Sequence, residues 1–322
     1  MAVSKSEWGW GLVGPGRFAR EFTEELQTVE RVRLAAVASR SADRAAEFAR
    51  DFGFEESYDS FDKLLADPGV DVVYIALPHV FHQEMVERAL LAGKAVVCEK
   101  PLTPSLEASE QLVAMAKDKK IFLTEAMKTA FLPAIQQAKT WIDEGAIGEV
   151  TLLKADFGFS GTDDLSDRTL NPELGGGCLH DIGIYPLFLS LFLLGDIDQL
   201  KAAGHLAETG VEDTVVLSVS HTSRACAALS ASFRTPENMD AVLLGTRGKI
   251  RLPKFHAGTE AQLLPDEGEN AVFKDRRGGL VLAEIEGICD ALDQGLLECP
   301  QYPHALSLDL ARWMDEALHQ LR

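Results

Sequence analysis

The chain has 322 residues, about twice the ~150 of a typical domain, so two domains each with its own core are expected. With 46% hydrophobic and 25% charged residues its composition is globular, which excludes a disordered or fibrous chain. Its 50 acidic against 31 basic residues give a net charge of −19, a field that repels nucleic-acid backbones and anionic membrane surfaces, so neither is expected as a partner.

In chain order, residues 8–13 predict a short apolar strand, followed by a Gly-rich turn and a helix over 18–26 with charges on its outer face. The alternation continues with a strand at 32–38, a helix at 42–52, a third strand at 70–77, a third helix at 81–92, a strand at 95–98, a helix at 105–117 and a strand at 121–124. Apolar, β-branched strands alternating with helices imply a doubly wound parallel sheet covered on both faces. After residue 126 the rhythm changes. One helix at 132–143 precedes strands at 149–159, 200–207, 214–220, 225–233 and 241–245, several with no helix between them, and helical patterns at 281–294 and 304–321 close the chain. The expected organisation is an α/β domain over 1–126 and an α+β domain over 127–322 built on a large, mainly antiparallel sheet.

Gly14-Pro15-Gly16-Arg17-Phe18-Ala19 fits G-x-G-x-x-A between the first strand and the first helix. The first glycine permits a tight turn, the second lets the backbone approach a diphosphate, and Ala19 lets the helix pack closely on the sheet, with helix amides facing the phosphates. NAD-binding sites place an acid at the end of the second strand; here Ser39-Arg40-Ser41 stands instead. Arg40 with Ser39, joined by Arg44, suits a 2′-phosphate, which predicts NADP in preference to NAD.

The fourth strand stops at Glu99-Lys100-Pro101, and the carboxyl ends of parallel strands border the ligand crevice, so Lys100 is expected to point at the cofactor. Farther on, Gly175-Gly176-Gly177 precedes Cys178-Leu179-His180-Asp181-Ile182-Gly183-Ile184-Tyr185. The glycines suggest a backbone that approaches something closely, such as a nicotinamide ring. Asp181 and Tyr185 are four apart and would share one helix face, although Pro186 disfavours α geometry at Tyr185.

On these residues, together with Ala76-Leu77-Pro78-His79 followed by His82, the chain resembles the glucose-fructose oxidoreductase, inositol dehydrogenase and rhizopine-catabolism family of NAD(P)-dependent oxidoreductases, over nearly its whole length. The resemblance implies a Rossmann domain followed by an α/β domain whose open sheet forms a homodimer or homotetramer interface. It puts the family's lysine on Lys100, its aspartate on Asp181 and its acid/base on Tyr185, as in the dihydrodiol and sugar dehydrogenase branches. It sets Gly14, Gly16, Arg17, Phe18, Leu77, Pro78, His79, His82, Glu99, Lys100 and Arg168 beside the cofactor. The chain departs from the dihydrodiol-type pattern at Lys128, where relatives carry an aromatic residue, and at Ala130, where they carry arginine; a polar or acidic sugar-like substrate becomes more plausible.

The implied reaction moves a hydride between a carbinol and a nicotinamide, with Tyr185 as base. A free phenol titrates near ~10, and a nearby Lys100 cation would favour its phenolate. No metal is expected, since His79 and His82 lack further ligands at suitable spacing. The competing reading is a sensor of the same fold that binds NADP without chemistry. Cys98, Cys178, Cys226, Cys289 and Cys299 form no C-x-x-C pair, and residues 1–7 lack a secretory profile. The apolar run at 182–194 falls short of the ~20 residues that cross a bilayer. A soluble, cytoplasmic protein with a small polyhydroxy substrate is expected.

Overall fold

Residues 7–162 and 164–321 are described by a computed structural model, in which they fall into two units: 7–127 with Gly279–Ser307, and Lys128–Gly278 with 308–321. The first unit opens with β1 (Trp8–Val13), α1 (Arg17–Leu26), β2 (Val32–Ala38), α2 (Ala42–Phe52), β3 (Glu56–Tyr58), α3 (Phe61–Ala66), β4 (Val72–Ile75), α4 (His82–Leu91), β5 (Ala95–Glu99), α5 (Leu106–Lys119) and β6 (Leu123–Ala126). All six strands run parallel in the order β3-β2-β1-β4-β5-β6. The order reverses between β1 and β4, which opens a crevice beyond their carboxyl ends. Every residue of β4 is buried, as a central parallel strand requires. Ser41, Ser60 and Ser105 cap α2, α3 and α5 by accepting from the amides of Arg44, Lys63 and Ala108.

Two elements escape the sequence pattern. β3 has three residues, two of them exposed, and α3 only six, too few to show a period. The strand at Val72–Ile75 is therefore the fourth rather than the third, and the one that ends before Lys100 is the fifth.

The second unit starts with α6 (Pro133–Asp143) and contains β7 (Val150–Ser160), α7 (Ile184–Leu194), β8 (Ile197–Leu206), β9 (Glu212–His221), β10 (Cys226–Ser232), β11 (Arg234–Asn238), β12 (Ala241–Gly245), β13 (Gly248–Leu252), β14 (Glu260–Pro265) and β15 (Ala271–Lys274). Two helices follow, α8 (Leu282–Asp293) and α9 (His304–Leu321). The strands form one sheet in the order β15-β14-β13-β12-β7-β10-β9-β8, with β11 paired to β7; β7 and β10 are parallel and the other pairs antiparallel. Val215, Leu217 and Val219 are buried on the face where α7 packs, while Val216 and Ser218 between them are exposed. β11, with every residue exposed, and the short strands β13 to β15 carry too few apolar positions for the sequence to announce them.

A π-helical turn at Leu179–Gly183 runs directly into α7. The wider turn shifts the carbonyl register ahead of Pro186, so the missing amide falls in the first turn of α7 and the helix continues through Tyr185. The stretch Pro172–Leu194 is long and apolar enough to cross a membrane, and 94% of its apolar window is buried inside the protein.

The sequence division at 126/127 assigns residues 279–307 to the second domain, whereas their contacts lie with the first unit. The Glu25 carboxylate on α1 accepts from the amides of Leu280 at 2.6 Å and Val281 at 2.9 Å and so caps α8. Glu25→Ala is expected to cost about 1–2 kcal/mol, read as a lower urea midpoint of the intact chain; an unchanged midpoint would show that the cap contributes nothing.

Candidate functional site

In the first unit the glycine turn is built for close approach. Gly14 has φ +87°, and a Cβ there would lie 2.5 Å from the Ala76 carbonyl oxygen. Its amide donates to Ala38 at 3.2 Å, and the Gly16 amide donates to the Gly14 carbonyl at 2.8 Å. A Cβ on Gly16 would meet nothing nearer than that carbonyl, 3.9 Å away. The backbone is thus bare on the side from which a diphosphate would reach the first amides of α1, and the turn fits a dinucleotide. Arg17 is exposed and Phe18 half-buried at the start of that helix. Arg40 is exposed at the end of β2, and the Ser39 hydroxyl accepts from the Ser41 amide at 3.2 Å. Arg44, exposed in the first turn of α2, donates to the Pro15 carbonyl at 3.2 Å. It braces the glycine turn because its place in the first turn of α2 brings it back over that loop.

The segment that carries Lys100 is held from several sides. His82 is fully buried, with Nδ1 2.8 Å from the Pro101 carbonyl and Nε2 2.8 Å from the Leu77 carbonyl. One imidazole therefore ties the Leu77-Pro78 loop to the Lys100-Pro101 loop; burial lowers its pKa while the carbonyls favour its protons. The His79 ring lies 5.7 Å from the His82 ring. Glu99 accepts from the Tyr74 hydroxyl at 2.6 Å, and the Tyr74 ring stacks on Phe22 at 3.8 Å. The Lys100–Pro101 peptide bond is cis. The Leu102 amide donates to Glu125 Oε1 at 3.0 Å; Glu125 Oε2 accepts from Tyr302 Oη at 3.0 Å and from the Ser307 hydroxyl. Burial pushes the Glu125 pKa up, and the Ser307, Tyr302 and Leu102 donors and the Lys100 charge oppose that rise.

In the second unit Gly175 and Gly177 have φ +76° and +124°. A Cβ on Gly176 would lie 2.8 Å from the Thr169 carbonyl and 2.9 Å from that of Arg168, and one on Gly177 would collide with the Glu212 carboxylate. The close approaches that Gly176 and Gly177 permit are to the chain's own backbone and to Glu212. Glu212, buried, accepts from the Leu179 amide at 3.1 Å, where the helix begins. Asp181 lies in the π-helical turn and pairs with both terminal nitrogens of Arg168 at 3.2 Å. Arg168 is thereby brought to Asp181. Tyr185 is buried; its ring lies 5.4 Å from Phe157 and 5.9 Å from His256, and Lys128 Nζ lies 5.3 Å from its centroid. Sequence reasoning missed Glu125, Tyr74, Glu212, Phe157 and His256. Glu125 alone left a signal, a carboxylate at the end of an apolar strand; the others gain meaning only from partners distant in the chain.

Residues 8–126 match the GFO/IDH/MocA profile described as an oxidoreductase family with an NAD-binding Rossmann fold, and residues 135–251 match the GFO/IDH/MocA C-terminal domain. The chain is 35% identical over 323 residues to the trans-1,2-dihydrobenzene-1,2-diol dehydrogenase of Mus musculus, an alignment covering 96% of this chain and 95% of that protein. The chain belongs to the GFO/IDH/MocA oxidoreductase family. A 3-ketoreductase from Actinomadura kijaniata, solved with NADP and TDP-benzene, superposes with a TM-score of 0.88 at 27% identity, covering 98% of each chain. A levoglucosan dehydrogenase solved with NADH and levoglucosan shares the fold, with a TM-score of 0.89 at 23% identity over 98% of this chain and 97% of that one. The six parallel strands in the order seen here are the family's NAD-binding Rossmann domain, and the mixed nine-stranded sheet is its C-terminal domain.

Because burial raises the Glu125 pKa, the folded chain holds that proton more tightly than the unfolded one. The resulting stability is complete below the ordinary carboxyl range and is given up as pH climbs through the raised value. Glu125→Gln should therefore flatten the pH dependence of Tm across mildly acidic to neutral pH; a variant that keeps the wild-type slope would show that Glu125 does not titrate in this way.

Proposed function

We propose that the chain is an NADP-dependent dehydrogenase acting on the carbinol of a small polyhydroxy compound, a sugar, polyol or dihydrodiol, with Tyr185 as acid/base and Lys100 assisting. The observation that carries this reading is the clamp on the Lys100 segment: His82, Tyr74 and Glu125 fix the backbone or flanking side chain of one lysine at the carboxyl end of β5 of an NAD-binding domain. A surface lysine has no need of such support. The names of the relatives, a dihydrodiol dehydrogenase and a ketoreductase, agree with a reaction at a carbon bearing oxygen.

Bound at the glycine turn, the dinucleotide supplies the hydride acceptor. Tyr185, as its phenolate, would take the hydroxyl proton as the carbinol carbon gives up a hydride to the dinucleotide, and would pass that proton on to solvent, so that a carbonyl compound, the reduced dinucleotide and one proton would result. The Lys100 ammonium favours loss of that proton and, in reverse, polarises the carbonyl. Asp181, oriented by Arg168, accepts from a substrate hydroxyl. Arg40 and Ser39 hold the 2′-phosphate, and NADP is the dinucleotide found in the Actinomadura kijaniata enzyme.

The uncovered face of the nine-stranded sheet, with Val216 at 51% and Val272 at 56% exposure, is the surface through which we place a homodimer or homotetramer. A reducing, cytoplasmic setting suits the cysteines. All five are free, and burial pushes the thiols of Cys289 and Cys299 up to about 12, which leaves them inert.

Tyr185→Phe and Lys100→Met should each lower turnover by about 100-fold or more while leaving NADP affinity within a few-fold. Measured on a panel of sugars, inositols and dihydrodiols, wild-type rates in either variant would remove the mechanism. Arg40→Asp should shift the NADP to NAD affinity ratio by about tenfold or more toward NAD. An unchanged ratio would remove the assignment of Arg40.

A further inference from the structure

We propose that His82 is a proton-operated clamp: with both ring nitrogens protonated it ties the Leu77-Pro78 loop to the Lys100-Pro101 loop, and with one proton it releases one of them. His82 is thereby a positioning residue for Lys100, a part of the inference that rests on the proposed role of that lysine.

His82 opens α4 and is wholly buried. Its Nδ1 lies 2.8 Å from the Pro101 carbonyl oxygen and its Nε2 2.8 Å from that of Leu77. Both partners are acceptors. A neutral imidazole carries one N–H and one lone pair and satisfies only one of them, whereas an imidazolium donates to both. In the one-proton form the second nitrogen turns its lone pair on a carbonyl oxygen at hydrogen-bond distance, a repulsive contact that is relieved when that loop moves away. The two loops leave the carboxyl ends of β4 and β5, which are paired neighbours in the sheet, so this one ring governs how firmly they are held together. Burial and the Lys100 charge lower the pKa of the ring, the Leu77, Pro101 and Leu102 backbone bonds raise it, and burial prevails. The second proton therefore goes on below the ordinary histidine value, and the clamp closes toward acid. Lys100 is the charge that opposes closure. The His79 ring lies 5.7 Å away, and burial holds the Cys98 thiol neutral by raising its pKa. Glu99 accepts from Tyr74, and Glu125 from Leu102, Tyr302 and Ser307. On α4 itself Glu84 and Glu87 are exposed and Arg88 donates to Glu84; on α5, which packs against α4, Glu107 and Glu110 are exposed.

The test follows the full chain with NADP by NMR and by amide hydrogen exchange from about pH 5 to about pH 8. The ring nitrogens of His82, assigned through its own backbone, should carry one proton at the alkaline end and two at the acid end, with a midpoint below the ordinary histidine value. Exchange at the Leu77, His79 and Thr103 amides, corrected for the intrinsic rate, should slow by about 10-fold across the same midpoint. That step should vanish in His82→Gln and persist in His79→Gln. A ring that keeps one proton, or two, over the whole range overturns the proposal, as does an exchange step that survives His82→Gln. Ring and loop midpoints that disagree in the wild type overturn it too, a comparison that needs no folded variant. Turnover of the preferred compound of the sugar, inositol and dihydrodiol panel, taken as the ratio of wild type to His82→Gln, should rise by roughly 3- to 10-fold from the alkaline to the acid side of the midpoint, in kcat rather than KM. A flat ratio with Lys100→Met inactive overturns the positioning role. Wild-type turnover in Lys100→Met, with loops that still tighten as His82 gains its second proton, overturns the reading of Lys100 and leaves the clamp standing.

Discussion

A buried carboxylate is unfavourable unless donors surround it, and Glu125 is surrounded: the Leu102 amide, the Tyr302 hydroxyl and the Ser307 hydroxyl converge on its two oxygens. The arrangement sets where the chain goes after Lys100. Leu102 is two residues beyond the lysine, so fixing its amide fixes the exit of the loop, while His82 holds Pro101 between them. Tyr302 and Ser307 come from the far end of the sequence, which is why residues 279–307 fold with the first unit rather than with the strands that precede them. The same two hydroxyls that make Glu125 tolerable also bind a distant segment to the Rossmann domain.

In the second unit a similar problem is solved at the start of a helix. The helix is almost wholly buried, so its first amides have no water to turn to, and the Glu212 carboxylate takes one of them at Leu179. Gly177 has no Cβ because Glu212 occupies that space, and the π-helical turn that follows lets Pro186 be accommodated without breaking the run to Leu194. Asp181 and Tyr185 are carried by this one rigid rod, and Arg168 reaches back from the preceding loop to orient the acid. Polar groups in an apolar rod are held where packing leaves them few rotamers.

Much of this was legible in the sequence. The parallel α/β half followed from apolar runs alternating with amphipathic helices, and the second half from strands succeeding one another without helices. The boundaries of β1, β2 and α2 agree with the predicted ones residue for residue. The glycine turn was readable because Gly14 needs a positive φ that few other residues tolerate. β3 and α3 were not, because three and six residues hold too little periodicity to stand above noise. The Gly175 to Gly177 cluster announced a close approach without saying to what, and Glu212, the partner, stands more than thirty residues away. The bond from Arg44 to the Pro15 carbonyl joins residues from different elements, which charge alone does not reveal. Local pattern therefore located the elements, while the contacts that orient the candidate side chains join residues with no common period.

The acidic excess looks different once these contacts are known. Glu25 grips the amides of Leu280 and Val281, Glu125 that of Leu102, and Glu212 that of Leu179. In each case a carboxylate stands where a backbone segment enters or leaves a helix or loop, and it satisfies donors that burial would otherwise orphan. A carboxylate does this better than a serine or asparagine, since a charged acceptor strengthens the bond and can serve two donors at once. Acids in this chain are thus partly a backbone scaffold.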